Sequence, residues 1–458
     1  MKAAGLSAVL LALALGACVH YAPAPPHPEA FAPGFDARAL PGDPGGKAWT
    51  RAGLLALAVR QNPQILEARA KYATALAAAR AAKAGAGPSL TLTAEYADQA
   101  PHWGWEAASD IPLDFGVRRS ARITTAQLQA LQAYYDYGEA IWSVRTAIDR
   151  ALGDLDFARQ ERFLAQQSTQ VRDDRVQRMQ RRVDLGQDAR TLLITAMTDA
   201  AAARRRLITA DGDQEAALAA LAKALGLSPA AVRSRVFPAP GQEEPSLAGL
   251  ATWRRDAAAS RRDVLRAVAD YDLAEQALRT QIAIQYPALS VGPGYFYDHG
   301  VNKLPWTLSL ALPPWDLNRK AIAQAEAARL DAGRSLEAAQ ANALGEVDAA
   351  TAAFRQAWAD LERARDHDAP LAAQAAAVAD RLALAGEGDK VDALAARGAL
   401  IDADLAANDA RRAALAAKAD LEDALRRSFD PAETAAILNA LNDAKAAPAP
   451  VAKTGGAR

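Results

Sequence analysis

The sequence predicts a mostly α-helical chain with a small membrane β part, in which four strands and long coiled-coil helices are arranged as two similar halves. Three observations carry this. Tyr72, Pro88 and Tyr96 recur 199 residues later as Tyr271, Pro287 and Tyr295, and Trp105 and Arg118 recur 201 residues later as Trp306 and Arg319. This marks a duplication with one short insertion. In each copy an Ala-rich helical stretch precedes two short alternating segments, and a very long helical stretch follows. Ala dominates and aromatics make up only 6%, which favours helix. The 53 Lys and Arg nearly cancel the 54 Asp and Glu, leaving no electrostatic case for nucleic acid.

The chain opens on a leader at residues 1–17: Lys2 gives a positive start, and Leu6 to Ala14 form an apolar run too short to span a bilayer. Leu15-Gly16-Ala17-Cys18 resembles the lipobox of bacterial lipoproteins, which implies a covalent lipid on Cys18. Cys18 is the only cysteine, so no internal disulfide or cysteine-rich metal site exists. Residues 18–46, rich in Pro, Gly and Ala, read as an extended tether.

The first repeat spans residues 47–246. Residues 51–84 read as helix interrupted at Asn62-Pro63, because the residue before Pro disfavours the α region. Gly85 to Pro88 stop it. Strands follow at about 89–98, where Leu90, Leu92 and Ala94 alternate with Thr91, Thr93 and Glu95, and at about 104–113. In the second repeat, 247–428, the strands lie at about 286–297 and 305–313, with Asp298-His299-Gly300 as the turn. There Trp306, Leu308, Leu310 and Leu312 alternate with Thr307, Ser309 and Ala311. Strands with an apolar and a small polar face, bordered by Trp and Tyr, suit a transmembrane β-barrel. Four strands cannot close a barrel, and lipid forbids open edges, so several chains must pool their strands.

Helical stretches of unusual length follow each strand pair, at roughly 119–184 and 320–385, each about 100 Å long at 1.5 Å per residue. Pro370 predicts a kink or break near Ala369. Ile141, Val144, Ile148, Leu152 and Leu155, and likewise Val347, Phe354, Trp358 and Leu361, form narrow apolar seams of the coiled-coil kind. The stretches end at glycine turns, Arg182 to Gly186 and Leu384 to Gly388, and helices resume at Asp188 and Asp389. Residues 429–458 read as a short helix and a flexible tail.

Taken in order, the Ala-Val-Arg-Gln-Asn-Pro core at residues 58–63, Pro88 and Pro287 before strands, and the Arg182-to-Gly186 tip resemble TolC-type outer-membrane efflux proteins of the lipoprotein branch. The run from Val291-Gly292-Pro293-Gly294-Tyr295 through Trp306 and Pro313 resembles the cobalt-zinc-cadmium exporter subgroup. The resemblance implies a homotrimer with one twelve-stranded barrel and one periplasmic tunnel, anchored in the outer membrane by its lipid. It also implies a periplasmic adaptor protein and an inner-membrane pump of the resistance-nodulation-division type as partners. The chain itself, with no P-loop, is then a passive, non-enzymatic duct without a cofactor.

For adaptor docking the candidates are the two tips: Arg182, Asp184, Leu185 and Gly186, and Gly386, Glu387 and Gly388. The alternative for the glycines is helix termination alone. Asp392 is the candidate gate, as a ring of carboxylates around the axis; the alternative is an exposed acid in a first helical turn. The first repeat has Leu192 at the comparable place. Catalysis finds no motif: His20, His27, His102, His299 and His367 are scattered without ligand spacing. Heavy-metal cations are the cargo the subgroup resemblance implies; drug efflux and type I secretion are alternatives. A lipid-anchored periplasmic coiled-coil scaffold is the alternative from another class.

Overall fold

The computed structural model describes residues 23, 25–40, 49–85, 87–98, 100–113, 116–233, 235–239, 241 and 243–446. The leader, Cys18 and the tail after residue 446 lie outside the described residues. A short helix, α1 (Phe31–Asp36), falls within the stretch expected to be a tether. Residues 31–40 of it are docked on the helices. Leu40 is buried in the main core, and the Arg38 guanidinium donates to the carbonyls of Gly226 at 3.2 Å and Gln61 at 3.4 Å.

Helices α2 (Arg51–Gln61) and α3 (Pro63–Ala81) are divided at Asn62, whose side chain accepts from the Gln64 and Ile65 amides and so caps α3. Strands β1 (Ser89–Tyr96) and β2 (Trp103–Pro112) follow, then α4 (Gly116–Asp184), an unbroken helix of 69 residues. It turns back into α5 (Arg190–Leu225), followed by the single-turn α6 (Pro229–Arg233).

The second copy begins with α7 (Leu250–Ser260) and α8 (Arg262–Ala283), then β3 (Ala288–Asp298). The strand expected at about 305–313 is β5 (Trp306–Ala311), and an unexpected short strand, β4 (Val301–Lys303), precedes it, so the described sheet has five strands rather than four. Pro305, having no N–H, cannot continue the ladder, and its carbonyl instead accepts from Gly294 N–H at 2.8 Å. Helix α9 (Arg319–Arg363) runs into a π-helical turn at Ala364–Asp368 and then α10 (Ala369–Ala385). The break expected near Ala369 is this π-turn, just ahead of Pro370. The Pro ring clashes with the carbonyl four residues earlier, so the turn before it must widen. Helices α11 (Lys390–Leu425) and α12 (Pro431–Ala446) complete the chain.

The repeat persists in the backbone. Helices α5 and α11 are each 36 residues long, offset by 200, and each ends on a left-handed residue, Gly226 at φ +72° and Arg426 at φ +48°. Asn62 Nδ2 donates to Ala224 O at 2.8 Å, and Arg261 Nη1 donates to Ala424 O at 2.9 Å, so each copy ties its returning helix to its entry helix in the same place.

Helix packing gives an open arc. Near the strands the order is α3, α4, α8, α9; towards the tips it is α5, α4, α11, then α9 and α10. The largest core lies between these levels, where α2, α4, α5 and α12 bury Trp142, Ile148, Leu152, Leu221 and Ile437. A second core joins α7, α9 and α11 through Val347, Phe354, Trp358 and Leu421. Both predicted apolar seams are therefore buried. Helix α12 is part of the first core, not an appendage.

The sheet is antiparallel in the order β1, β2, β3, with β4 and β5 both on the far side of β3. Register assigns its two faces. Leu92, Ala107 and Tyr295 lie side by side, as do Ile111, Val291 and Leu308, and Leu289 with Leu310. The opposite face carries Thr93, Glu106 and Phe296, and Ser290 with Ser309. The apolar face is open to the surroundings: Leu92 is 73% exposed and Trp306 75%. No helix among the described residues is long and apolar enough to cross a membrane.

Candidate functional site: the paired hairpin tips

Both tips end their helices by the same device. At the first, Gly186 takes φ +72°, its N–H donates to Val183 O at 3.0 Å, and Gln187 N–H donates to Arg182 O at 2.8 Å. At the second, Gly386 takes φ +78°, and the Glu387 and Gly388 amides both donate to Leu382 O at 3.0 Å. Left-handed backbone at these points costs glycine nothing and any other residue roughly 1 kcal/mol or more. The turns thereby present Asp184, Leu185, Gly186, Gly386, Glu387 and Gly388 to solvent. Leu185 is 72% exposed and Leu384 86%.

Below the turns the two hairpins are locked to one another. Met179, Leu193 and Val391 are buried together, joining α4, α5 and α11. Arg182 bridges the tips: its Nε lies 2.6 Å from Asp188 Oδ2, and its Nη1 pairs with Asp389 Oδ2. Asp389 has a second duty as the N-cap of α11, accepting from Val391 N–H at 2.8 Å. Asp188 has no such role. The cap of α5 is Ala189, which makes no side-chain bond, so the expectation that Asp188 opens that helix fails. Its carboxylate is turned to Arg182 instead.

Further pairs continue away from the tips. Arg172 meets Asp402 at 2.7 Å, Arg412 meets Asp154 at 2.9 Å, and Arg150 meets Asp420 at 2.6 Å, all between α4 and α11. Arg397 joins Asp380 at 2.9 Å between α11 and α10. Each exposed pair contributes little alone, about 0–1 kcal/mol, but together they fix the register of the helices.

Asp392 and Leu192 occupy matching positions in the first turns of α11 and α5, and both are exposed. Asp392 stands apart from the Arg182 bridge. Sequence reasoning missed two features of this face. One is the pairing of Arg182 with Asp389, whose only signal was an Arg two residues before the end of α4 and an Asp just ahead of α11. The second is Asp404, half-buried on α11, where burial raises its carboxyl above the ordinary range. Among the described residues no group of three or more His, Cys, Asp or Glu side chains is placed to hold a metal ion.

Residues 54–227 match the family described as outer membrane efflux protein. The outer-membrane protein VceC from Vibrio cholerae has the same fold, with a TM-score of 0.68 at 19% identity over 83% of this chain and 97% of that one. The CmeC outer-membrane channel of Campylobacter jejuni gives 0.69 at 14% identity over 93% and 98%. Protein CyaE of Bordetella pertussis is 27% identical over 264 residues, 55% of this chain and 54% of CyaE. The match thus spans about half the length of that curated relative. The duplicated hairpins, the open sheet and these likenesses converge: residues 54–227 match the outer membrane efflux protein family, and the chain has the TolC-type fold of these outer-membrane channels.

Proposed function

We propose that this chain is the outer-membrane component of a tripartite efflux system, a passive duct from periplasm to exterior that works as a homotrimer. One observation carries the reading: the chain is unfinished as a single copy. The outer edges of β1 and β5 have no strand beside them among the described residues, while one sheet face is apolar and exposed. Unpaired edges are not tolerated in lipid. The helical arc is open in the same sense, with Ile208 on α5 and Leu371 on α10 exposed at its two ends. Head-to-tail addition of copies closes both at once. Three copies give twelve strand lanes, counting β4 and β5 as one, around one tunnel.

In this reading the tips, Arg182 to Gly186 and Gly386 to Gly388, dock a periplasmic adaptor, and an inner-membrane pump supplies the energy. Asp392 contributes to a carboxylate ring at the tunnel mouth, and Cys18 carries the lipid anchor. Heavy-metal cations as cargo rest on the run from Val291 to Tyr295 and on Trp306 and Pro313. The test is purification in detergent followed by insertion into a planar bilayer. The expected result is a particle of three chains that opens ion-conducting steps. A monomer that conducts nothing, with helical circular dichroism alone, would favour the lipid-anchored scaffold instead.

A further inference from the structure

Where the sheet meets the helices, a cleft of about 370 Å³ opens on the apolar side of the strands. Its walls are Leu113, Val117, Tyr286, Leu289 and Leu310, with Arg118 at the helical end. Leu289 and Leu310 are opposite one another on the face that also carries Val291 and Leu308, so the cleft continues that face. Arg118 is held in place by its own bonds, its Nη2 donating to the carbonyls of Tyr286 at 2.7 Å and Ala283 at 3.4 Å.

Among the described residues at this level positive charge predominates, with Asp316 as the acid nearest in sequence. Arg119, Arg319 and Lys320 are exposed, and their side chains have no hydrogen bond or ion pair among the described residues. Asp316, the acid nearest in sequence to Arg319, is occupied by the Asn318 amide at 3.1 Å. Arg118-Arg119 and Arg319-Lys320 are the same position in the two repeats, so the basic pair was duplicated with the fold. Trp315, four residues before Arg319, is fully exposed, and Tyr286 is 68% exposed. Amphipathic aromatics of this kind settle at the level of lipid headgroups.

We propose that this junction is a binding site for an anionic glycerophospholipid in the leaflet on the helical side. One acyl chain occupies the cleft, and the headgroup phosphate and its net negative charge are met by the cationic collar of Arg118, Arg119, Arg319 and Lys320. A zwitterionic lipid fits the cleft equally well but leaves the collar uncompensated, so headgroup charge sets the preference. The lipid would thereby hold the boundary between sheet and helices at a fixed depth. This rests on the reading that the apolar sheet face lies in a bilayer.

The test uses the full chain, first inserted into vesicles of phosphatidylcholine, then measured for binding of a fluorescent phosphatidylglycerol and a fluorescent phosphatidylcholine. The wild type is expected to prefer phosphatidylglycerol about tenfold, and the R119Q/R319Q/K320Q variant to lose that preference while still inserting. The V117W variant, which fills the cleft and keeps every charge, is expected to bind both probes more weakly. Equal binding of the two probes by an inserted wild type, or an unchanged preference in the triple variant, overturns the proposal. A wild type that does not insert at all overturns the membrane reading on which it depends. Should the triple variant misfold, the single changes R119Q and K320Q serve in its place, each expected to lower the preference severalfold and overturning the proposal if neither does.

Discussion

Arg145 is the most consequential single residue in the fold. It is 2% exposed on α4, yet it holds the end of the chain: its Nε donates to Glu433 at 2.7 Å and its Nη2 to Glu422 at 2.6 Å. Ser428 Oγ completes the knot by donating to Glu433 at 2.7 Å, and Phe429 N–H donates to Glu422 at 2.7 Å. Burial alone would lower the Arg145 pKa, but the charges of Glu422, Glu433 and Asp149 outweigh it and hold it above its ordinary value. Burial pushes Glu422 up, with Arg145 opposing. Replacing Arg145 by Met leaves buried carboxylate without counter-charge, at a cost of about 3–5 kcal/mol near neutral pH. The sign of the pH effect follows from linkage. A carboxyl whose folded pKa lies above its unfolded value stabilises fully below the unfolded pKa, and that stability is lost as pH rises through the folded value. The deficit in R145M melting temperature is therefore expected to be large at pH 7.5 and to shrink towards pH 5. A deficit independent of pH would assign the loss to packing instead.

At the scale of elements, the two returning helices differ at their first turns. Helix α11 is capped by Asp389, whereas α5 begins at Ala189 without a side-chain cap, although both acids touch Arg182. Asp389→Ala is expected to cost about 1 kcal/mol of local stability. Hydrogen exchange at the Val391 amide should then accelerate about fivefold, while Asp188→Ala leaves the first turn of α5 nearly unchanged. Equal acceleration at both helices would deny Asp389 its special role. Much of this level was legible in the sequence, because period-2 alternation located β1 and β5, their partners β2 and β3 followed from position, and Gly186 and Gly386 located both tips. Three things were not. The three-residue β4, Val301–Lys303, is too short to show a period and lies on the far side of Pro305 from the pattern that begins at Trp306. Pro370 marks a break, but the strain is released over Ala364–Asp368, before it. The short helix expected after residue 429 is α12, but its place in the core was not legible, because Ile437 and Leu441 are buried with residues about 300 to 380 positions earlier, a pairing that no local pattern encodes.

The whole molecule is an open arc, and the proposed assembly closes it with copies of itself. Among the described residues its sheet has two open edges beside an exposed apolar face, and its 69-residue helix runs unbroken. Sequence reasoning reached the need for pooled strands by counting them. It could not reach the Arg-acid rungs that bind α4 to α11, since each rung pairs residues more than 200 apart. These rungs tie α4 to α11 within one chain, so the proposed assembly joins preformed units. The most direct test places a cysteine at Thr91 on the β1 edge and another at Ser309 on the β5 edge, in a Cys18→Ser background, and oxidises the protein in its membrane. Adjacent positions on each strand serve as further pairs to find the register between copies. The account predicts a ladder of covalently joined chains on a denaturing gel that ends at three. No cross-linking between copies at any register, or a ladder that runs past three, would contradict it.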